Sequence, residues 1–207
     1  MKKLGPLREA TVDLSKRLIV LTGPNNAGKT WLAWCVYALA TLPTEELAPV
    51  VKPFAEELLA SPQRRLDATR SEALWKAVID AVPAVLKRWL PIVFALPEEH
   101  FAETELGFES SANHRSLSSG FYASEDERAA LLVLSVSRRQ VELGVAQRTS
   151  QLLTPRTVPA IDVDVDAQLV IKQLTDSAWH ILAPRALIFP AERAGIQLVA
   201  RELAAER

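Results

Sequence analysis

Apolar residues recur along this chain with two different periods, and the change of period separates segments of different predicted structure. From Trp31 to Leu42, and again from Leu74 to Trp89, they return every three or four residues, which is typical of helices with one buried face. Between Ala129 and Gln147 an apolar run is followed by alternation, which is typical of strands. The combination predicts an α/β protein.

The first periodic segment predicts a helix that Pro43 ends. Its apolar stripe should face the core, although an aromatic stripe that stacks on bases is an alternative explanation. The members of the stripe are Trp31, Trp34, Cys35, Ala38 and Leu42.

Residues 44–96 predict a mostly helical block inserted after that helix. Leu47–Leu59 predicts one broken amphipathic stretch that Pro49 and Pro53 limit. A helix should begin near Ser71, and Pro83 should kink or break it. The block also carries basic side chains that would suit nucleic-acid phosphates, but a solvated helix face is the favoured explanation. These residues are Arg64, Arg65, Arg70, Lys76, Lys87 and Arg88.

Residues 97–160 predict a meander of antiparallel strands, with the polar stretch Ser110–Gly120 as a loop. The segment Ala160–Asp166 then alternates strictly, which predicts a strand with three aspartates on one face. That row suits a metal site or a solvated face, and Asp166 alternatively caps the next helix. We also expect a strand over Arg185–Phe189 and a final amphipathic helix.

One stretch carries recognisable chemistry, because it fits the phosphate-loop pattern G-x-x-x-x-G-K-[ST]. Its glycines let backbone N–H groups approach an anion at the N-terminus of the following helix, where the helix dipole favours negative charge. The lysine would reach the β- and γ-phosphates, and the threonine hydroxyl would ligate Mg²⁺. We therefore predict ATP and Mg²⁺ as cofactors, bound by Gly23, Pro24, Asn25, Asn26, Ala27, Gly28, Lys29 and Thr30.

The loop stands in the setting that this motif needs. The apolar run Arg17–Thr22 predicts a buried strand before it, and the helix from Gly28 follows it. Residues 3–22 predict two strands joined by a turn over Asp13–Arg17, with the apolar run as the second strand.

Gly-Pro-Asn before Ala-Gly-Lys-Thr resembles the loop of ABC-type ATPases, in particular the SMC, RecF and OLD-like group. Lys3–Leu14 resembles the hairpin that precedes the loop in those proteins, and Phe189–Gly195, with Glu192 and Arg193, resembles a Pro-Ala-Glu-Arg-x-Gly element of bacterial AAA/OLD-like ATPases. The resemblance implies a P-loop NTPase core of ABC/SMC-head type. It would have an antiparallel N-terminal β layer, a helical insertion at 44–96 and parallel strands beside the loop strand.

By this resemblance, residues 1–207 would form a single, incomplete ATPase domain. Such proteins dimerise around ATP and often work on DNA, in repair or phage defence. The resemblance thus implies an ATP-binding half that pairs with a second copy or with a complementary C-terminal half.

Two elements of that family have no convincing match in the chain. Leu131–Leu134 is apolar enough for the acidic strand, but Ser135 stands where the aspartate belongs, and Leu187–Phe189 leads only to Glu192. Leu117–Gly120 superficially resembles a signature segment, but its serine-rich composition predicts a loop. The family's Q-loop glutamine would be Gln140, Gln147 or Gln151. We expect ATP binding, and we leave open whether the chain is an enzyme.

Two other classes of function fit the same loop. A P-loop kinase for a small molecule would need a lid of arginines and an acceptor-binding carboxylate soon after the loop, and the helix offers no carboxylate before Glu45. A regulatory subunit would bind nucleotide without turnover.

Composition limits the partners and the cellular compartment that we expect for the protein. The 24 Lys and Arg residues balance 25 Asp and Glu residues, so net charge does not favour nucleic acid or an anionic membrane. The single cysteine, Cys35, excludes a disulfide within the chain and is expected in the core. The longest apolar run is short of a membrane span, and no signal peptide is recognisable, so we expect a cytoplasmic protein without membrane contact.

Overall fold

The computed structural model describes residues 1–16, 19–109, 116–122, 131–149, 152–156 and 165–182. It is a mixed α/β fold in which the sheets are antiparallel. The helices are α1 (Lys29–Ala40), α2 (Ala48–Ala60), α3 (Ala68–Phe94) and α4 (Ala167–Leu182). The strands are β1 (Lys2–Leu4), β2 (Leu7–Glu9), β3 (Arg65–Leu66), β4 (Ser116–Tyr122), β5 (Leu131–Ser137), β6 (Val141–Thr149) and β7 (Leu152–Arg156).

The larger sheet is the predicted antiparallel meander. β4, β5 and β6 follow one another along the chain and pair in that order, and β3 and β7 both pair with β6 at different positions along it. The predicted polar loop is wrong over its last residues, because Ser116–Gly120 belongs to β4. Exposed and half-buried residues alternate along Ser116–Gly120 and their backbone pairs with β5, so the serine-rich composition reflects partial exposure of the strand.

The helical content predicted for residues 44–96 is confirmed. α3 begins earlier than expected, at Ala68, because the Asp67 carboxylate accepts a hydrogen bond of 2.8 Å from the Arg70 N–H and caps the helix. Pro83 does not break α3. Val82 and Val85 on either side of the proline are buried, and this packing holds the helix through the lost backbone bond.

α3 joins the helical and β parts of the molecule. Its Trp75 indole N–H donates to the Ser137 carbonyl at the end of β5, at 3.1 Å. α4 packs across α2 on one side and across β4 and β5 on the other, with the Ser119 and Ser177 hydroxyls 3.3 Å apart. The predicted cap of α4 is confirmed, because Asp166 accepts from the Gln168 N–H at 2.8 Å.

An N-terminal hairpin forms, but it is not the one predicted over residues 3–22 with its turn at Asp13–Arg17, and residues 19–22 are not in a strand. β1 and β2 pair through Lys2 with Glu9 and Leu4 with Leu7, so the chain turns at Gly5 and Pro6. Gly5 has φ +54, a backbone conformation that glycine adopts without strain. Asp13 instead closes a local turn with Ser15, outside any strand.

Several expectations lie outside the described residues. These are the strand over 185–189, the final helix, the Pro-Ala-Glu-Arg element with Glu192 and Arg193, and the aspartates Asp162 and Asp164.

Leu74 offers a direct test of the α3 core. Its side chain is fully buried, so Leu74→Ala should lower the free energy of unfolding by about 2–5 kcal/mol through lost burial and a cavity. Urea unfolding followed by circular dichroism measures the change. Lys76→Ala on the exposed face of the same helix is the control and should stay within about 0.5 kcal/mol of the parent. Equal effects at both positions would contradict the packing described here.

Candidate phosphate-binding site

The motif residues form an exposed loop that leads directly into α1. Gly23, Asn26 and Gly28 all have positive φ angles, of 140, 63 and 86 degrees. Gly28 is the N-cap of α1 in the left-handed conformation, and the helical hydrogen bonds begin where the Leu32 N–H donates to the Gly28 carbonyl at 3.0 Å. The three N–H groups of Lys29 to Trp31 therefore have no acceptor within the helix. They are the donors that a phosphate would need.

Lys29 holds the loop in a curled shape. Its ammonium donates to the carbonyl oxygens of Gly23 and Pro24, at 2.7 and 2.6 Å. An ammonium has three donors, so these two bonds leave one for an anion at the centre of the loop. The Thr30 side chain beside it is exposed. Lys29 and Thr30 thus lie side by side where the loop becomes α1.

The hairpin turn packs against the base of the loop. Gly28 is buried, and a Cβ added there would lie 2.6 Å from Leu7 side-chain carbons and 3.4 Å from Pro6. A Cβ added to Gly5 would overlap the indole ring of Trp31. Glycine is therefore required at both positions by contact as well as by backbone conformation. This hairpin contact is the part of the site that sequence reasoning missed, and the Gly5-Pro6 pair was its only signal.

A solvent-open cleft of about 480 Å³ lies at the hairpin turn, and none of its lining residues belongs to the loop. Pro6 and Leu7 contribute to both the cleft and the contact with Gly28. The walls of the cleft carry side chains of both signs of charge. The cleft is lined by Lys3, Gly5, Pro6, Leu7, Arg8, Glu99, His100 and Glu103.

The segment before the loop is not the buried strand that its composition predicts. Ile19, Val20 and Leu21 are 41%, 68% and 36% exposed, and residues 19–22 have no strand pairing. A strand needs neighbours to satisfy its backbone N–H and C=O groups, and the described strands that pair do so elsewhere. The predicted parallel strands beside this segment are not among the described residues.

The helix after the loop is confirmed, but its predicted stripe is only partly buried. Cys35, Ala38 and Leu42 are buried, whereas Trp34 is 45% exposed and packs edge-on against the exposed Tyr37. Burial raises the pKa of the Cys35 thiol to about 11. The thiol is therefore a core group and not a nucleophile at neutral pH.

The segments considered for the acidic strand and for the signature segment both lie within the larger antiparallel sheet. Leu131–Leu134 lies in β5, between β4 and β6, and the Ser135 hydroxyl is 3.0 Å from that of Ser118. Leu117–Gly120 lies in β4 and not in a loop. Gln140 sits at the β5–β6 turn, where its amide bonds to Glu142 at 2.7 Å. Among the described residues, no three or more His, Cys, Asp or Glu side chains cluster as metal ligands.

Most of the basic side chains considered for nucleic acid have partners within the chain. Arg70 pairs with Glu57 and Arg88 with Glu46, while Arg64 and Lys87 donate to backbone carbonyls. These contacts fit a role in stabilising the fold and not a role in binding nucleic acid. Arg65 and Lys76 are exposed.

Comparison with known proteins gave no match to a family model, a curated protein or a solved structure. Among the described residues, no helix is both long enough and apolar enough to cross a membrane.

The contact between Gly28 and Leu7 is tested by Gly28→Ala. The new methyl group would meet Leu7 and a positive φ together, so stability should fall by about 1–3 kcal/mol in urea unfolding. Gly107→Ala is the control, because a Cβ there meets nothing within 4 Å. Adding Leu7→Ala to Gly28→Ala should recover part of the loss. Full additivity of the two changes would mean that the side chains do not meet.

Cys35 should be protected from alkylation in the native protein. With a thiol pKa of about 11, only about a thousandth of the thiol is ionised at pH 8. We expect iodoacetamide to label the folded chain at least about 100-fold more slowly than the chain in denaturant. Equal rates, followed by mass spectrometry, would contradict the burial of this side chain.

Proposed function

We propose that this protein binds ATP with Mg²⁺ through residues 23–30 and acts as the nucleotide-binding half of an ABC/SMC/OLD-like ATPase. The observation that carries the proposal is the loop itself. Its Lys29 ammonium sits inside a curl of backbone, and the unpaired N–H groups of the first turn of α1 follow it.

The chemistry of the loop fits a polyphosphate. The motif's lysine neutralises charge on the β- and γ-phosphates, and the N–H groups at the helix N-terminus supply donors for phosphate oxygens. The exposed Thr30 hydroxyl is the expected ligand for Mg²⁺.

Binding and turnover are separate properties in this proposal. Hydrolysis by this class requires a carboxylate that holds Mg²⁺ and a group that orients the attacking water. Ser135 cannot supply the carboxylate, since it carries a hydroxyl that faces Ser118. We therefore assign nucleotide binding to the described residues and propose that turnover needs Glu192 or a carboxylate from a complementary half.

The exposed segment before the loop supports the proposal that a complementary half of the ATPase binds this chain. Ile19, Val20 and Leu21 present contiguous apolar side chains on an unpaired stretch of backbone. Such a segment is stabilised when it joins a sheet, because the backbone groups pair and the side chains leave water. We propose that strands of the remaining ATPase core cover it. Action on DNA is the task that the family resemblance suggests for the complete assembly.

Titration calorimetry with Mg-ATP tests the proposed function. Lys29→Ala removes the ammonium that neutralises phosphate charge, so affinity should fall by about tenfold or more. Lys52→Ala is the matched control, since Lys52 is an exposed lysine of α2 that pairs only with Glu56 in its own helix. Its affinity should equal that of the parent.

The same samples separate the candidate functions when phosphate release and acceptor phosphorylation are followed. Binding that requires Lys29, without turnover, supports an ATPase half, and restored hydrolysis with a complementary half excludes a purely regulatory subunit. A phosphorylated acceptor would favour a kinase. Equal affinities of the parent and Lys29→Ala would overturn the proposal.

A further inference from the structure

The side chain that directly follows the loop is packed on three sides by distant parts of the chain. Trp31 is the third residue of α1, and its indole lies 4.9 Å from the Phe94 ring and 6.1 Å from the Phe101 ring, measured between centroids. Phe94 and Phe101 contact each other edge-on at 5.4 Å. On another side the indole lies directly against Gly5 of the hairpin turn.

These contacts bring together segments that are far apart in sequence. Phe94 ends α3, Ala95 follows with φ +50, and Phe101 belongs to the short 3₁₀ helix Glu98–Phe101. We call the residues 94–101 the α3 corner. The left-handed Ala95 is an uncommon conformation for a residue other than glycine, and the ring contacts are available to stabilise it.

The residues that directly follow the α3 corner, Thr104 and Glu105, are bonded to the hairpin. The Thr104 hydroxyl donates to the Lys3 carbonyl at 2.9 Å, and Lys2 and Glu105 exchange two backbone hydrogen bonds at 2.7 and 3.0 Å. The hairpin turn packs against Gly28 at the end of the loop. The hairpin, the α3 corner with the residues that follow it, and the first turn of α1 therefore form a closed circuit, in which each contacts the other two. The first turn of α1 thus contacts the α3 corner through Trp31 and the hairpin turn through Gly28.

From this circuit we infer that Trp31 is a positioning residue for the phosphate loop. It holds the first turn of α1, with the N–H groups that would bind phosphate, against the hairpin turn and the α3 corner. Phe101 and Phe94 support the loop through Trp31, without touching the ligand. This inference rests on the proposed nucleotide binding and adds a remote structural control of the same site.

The test measures Mg-ATP affinity in variants remote from the loop. Phe101→Leu should weaken binding about fivefold, because the indole loses a face of its packing and the loop loses its fixed position. Phe54→Leu is the matched control, since Phe54 is a similarly buried phenylalanine of α2 that packs with Arg70. Its affinity should stay within about twofold of the parent. Phe94→Leu at a partly buried ring is the milder second variant and should also weaken binding.

Two readouts distinguish a loss of loop positioning from a general loss of protein stability. Trp31→Phe should retain affinity within about twofold while Trp31→Leu loses it, because a flat ring is what fits between Gly5 and Phe94. Nucleotide should also change the tryptophan fluorescence of the parent, and Trp31→Phe should remove that change.

The outcomes separate this inference from the proposed function. Absence of Mg-ATP binding by the parent would overturn both. Binding by the parent with equal affinity for Phe101→Leu and Phe54→Leu would overturn the positioning role alone. The positioning role would also be overturned if Phe101→Leu and Phe54→Leu lose affinity only in proportion to their loss of stability in urea.

Discussion

The packing of the N-terminal hairpin turn against the first turn of α1 is the contact on which the candidate site depends. Gly28 must lack a side chain because Leu7 occupies the space, and Gly5 must lack one because the Trp31 indole occupies it. The two glycines therefore let two backbones approach closely at the point where the loop becomes a helix. The loop is shaped by this contact together with the Lys29 ammonium, which draws the Gly23 and Pro24 carbonyls inward.

The rest of the fold supports this region from two directions. α3 carries the α3 corner to the hairpin at one end and bonds to β5 through Trp75 nearer the other, so a 27-residue helix spans from the loop region to the large sheet. α4 packs between α2 and the same sheet, and Thr44 just after α1 bonds to Asp176 at 2.7 Å. The elements that follow the loop are thus packed together, whereas the segment Ile19–Leu21 that precedes it is exposed.

Sequence patterns predicted the elements whose burial is local and periodic. Four features follow from spacing and from side-chain chemistry: the buried members of the α1 stripe, the helical content of residues 44–96, the pairing of β5 with β6 and the cap at Asp166. The patterns failed where tertiary context decides. Ser116–Gly120 is a strand because β5 pairs with it, and Ile19–Leu21 is unpaired because no described strand lies beside it. The motif located the loop, but no local pattern could show that Leu7, Phe94 and Phe101 surround its base.

Hydrogen exchange with and without Mg-ATP, read by mass spectrometry on the full chain, tests the central claim most directly. The account predicts that nucleotide slows exchange of the amides in residues 25–32, which form the loop and the first turn of α1, and that Lys29→Ala abolishes this protection. Peptides from α2 should be unchanged in both proteins. Unchanged exchange over residues 25–32 at saturating Mg-ATP would contradict a phosphate site at this loop.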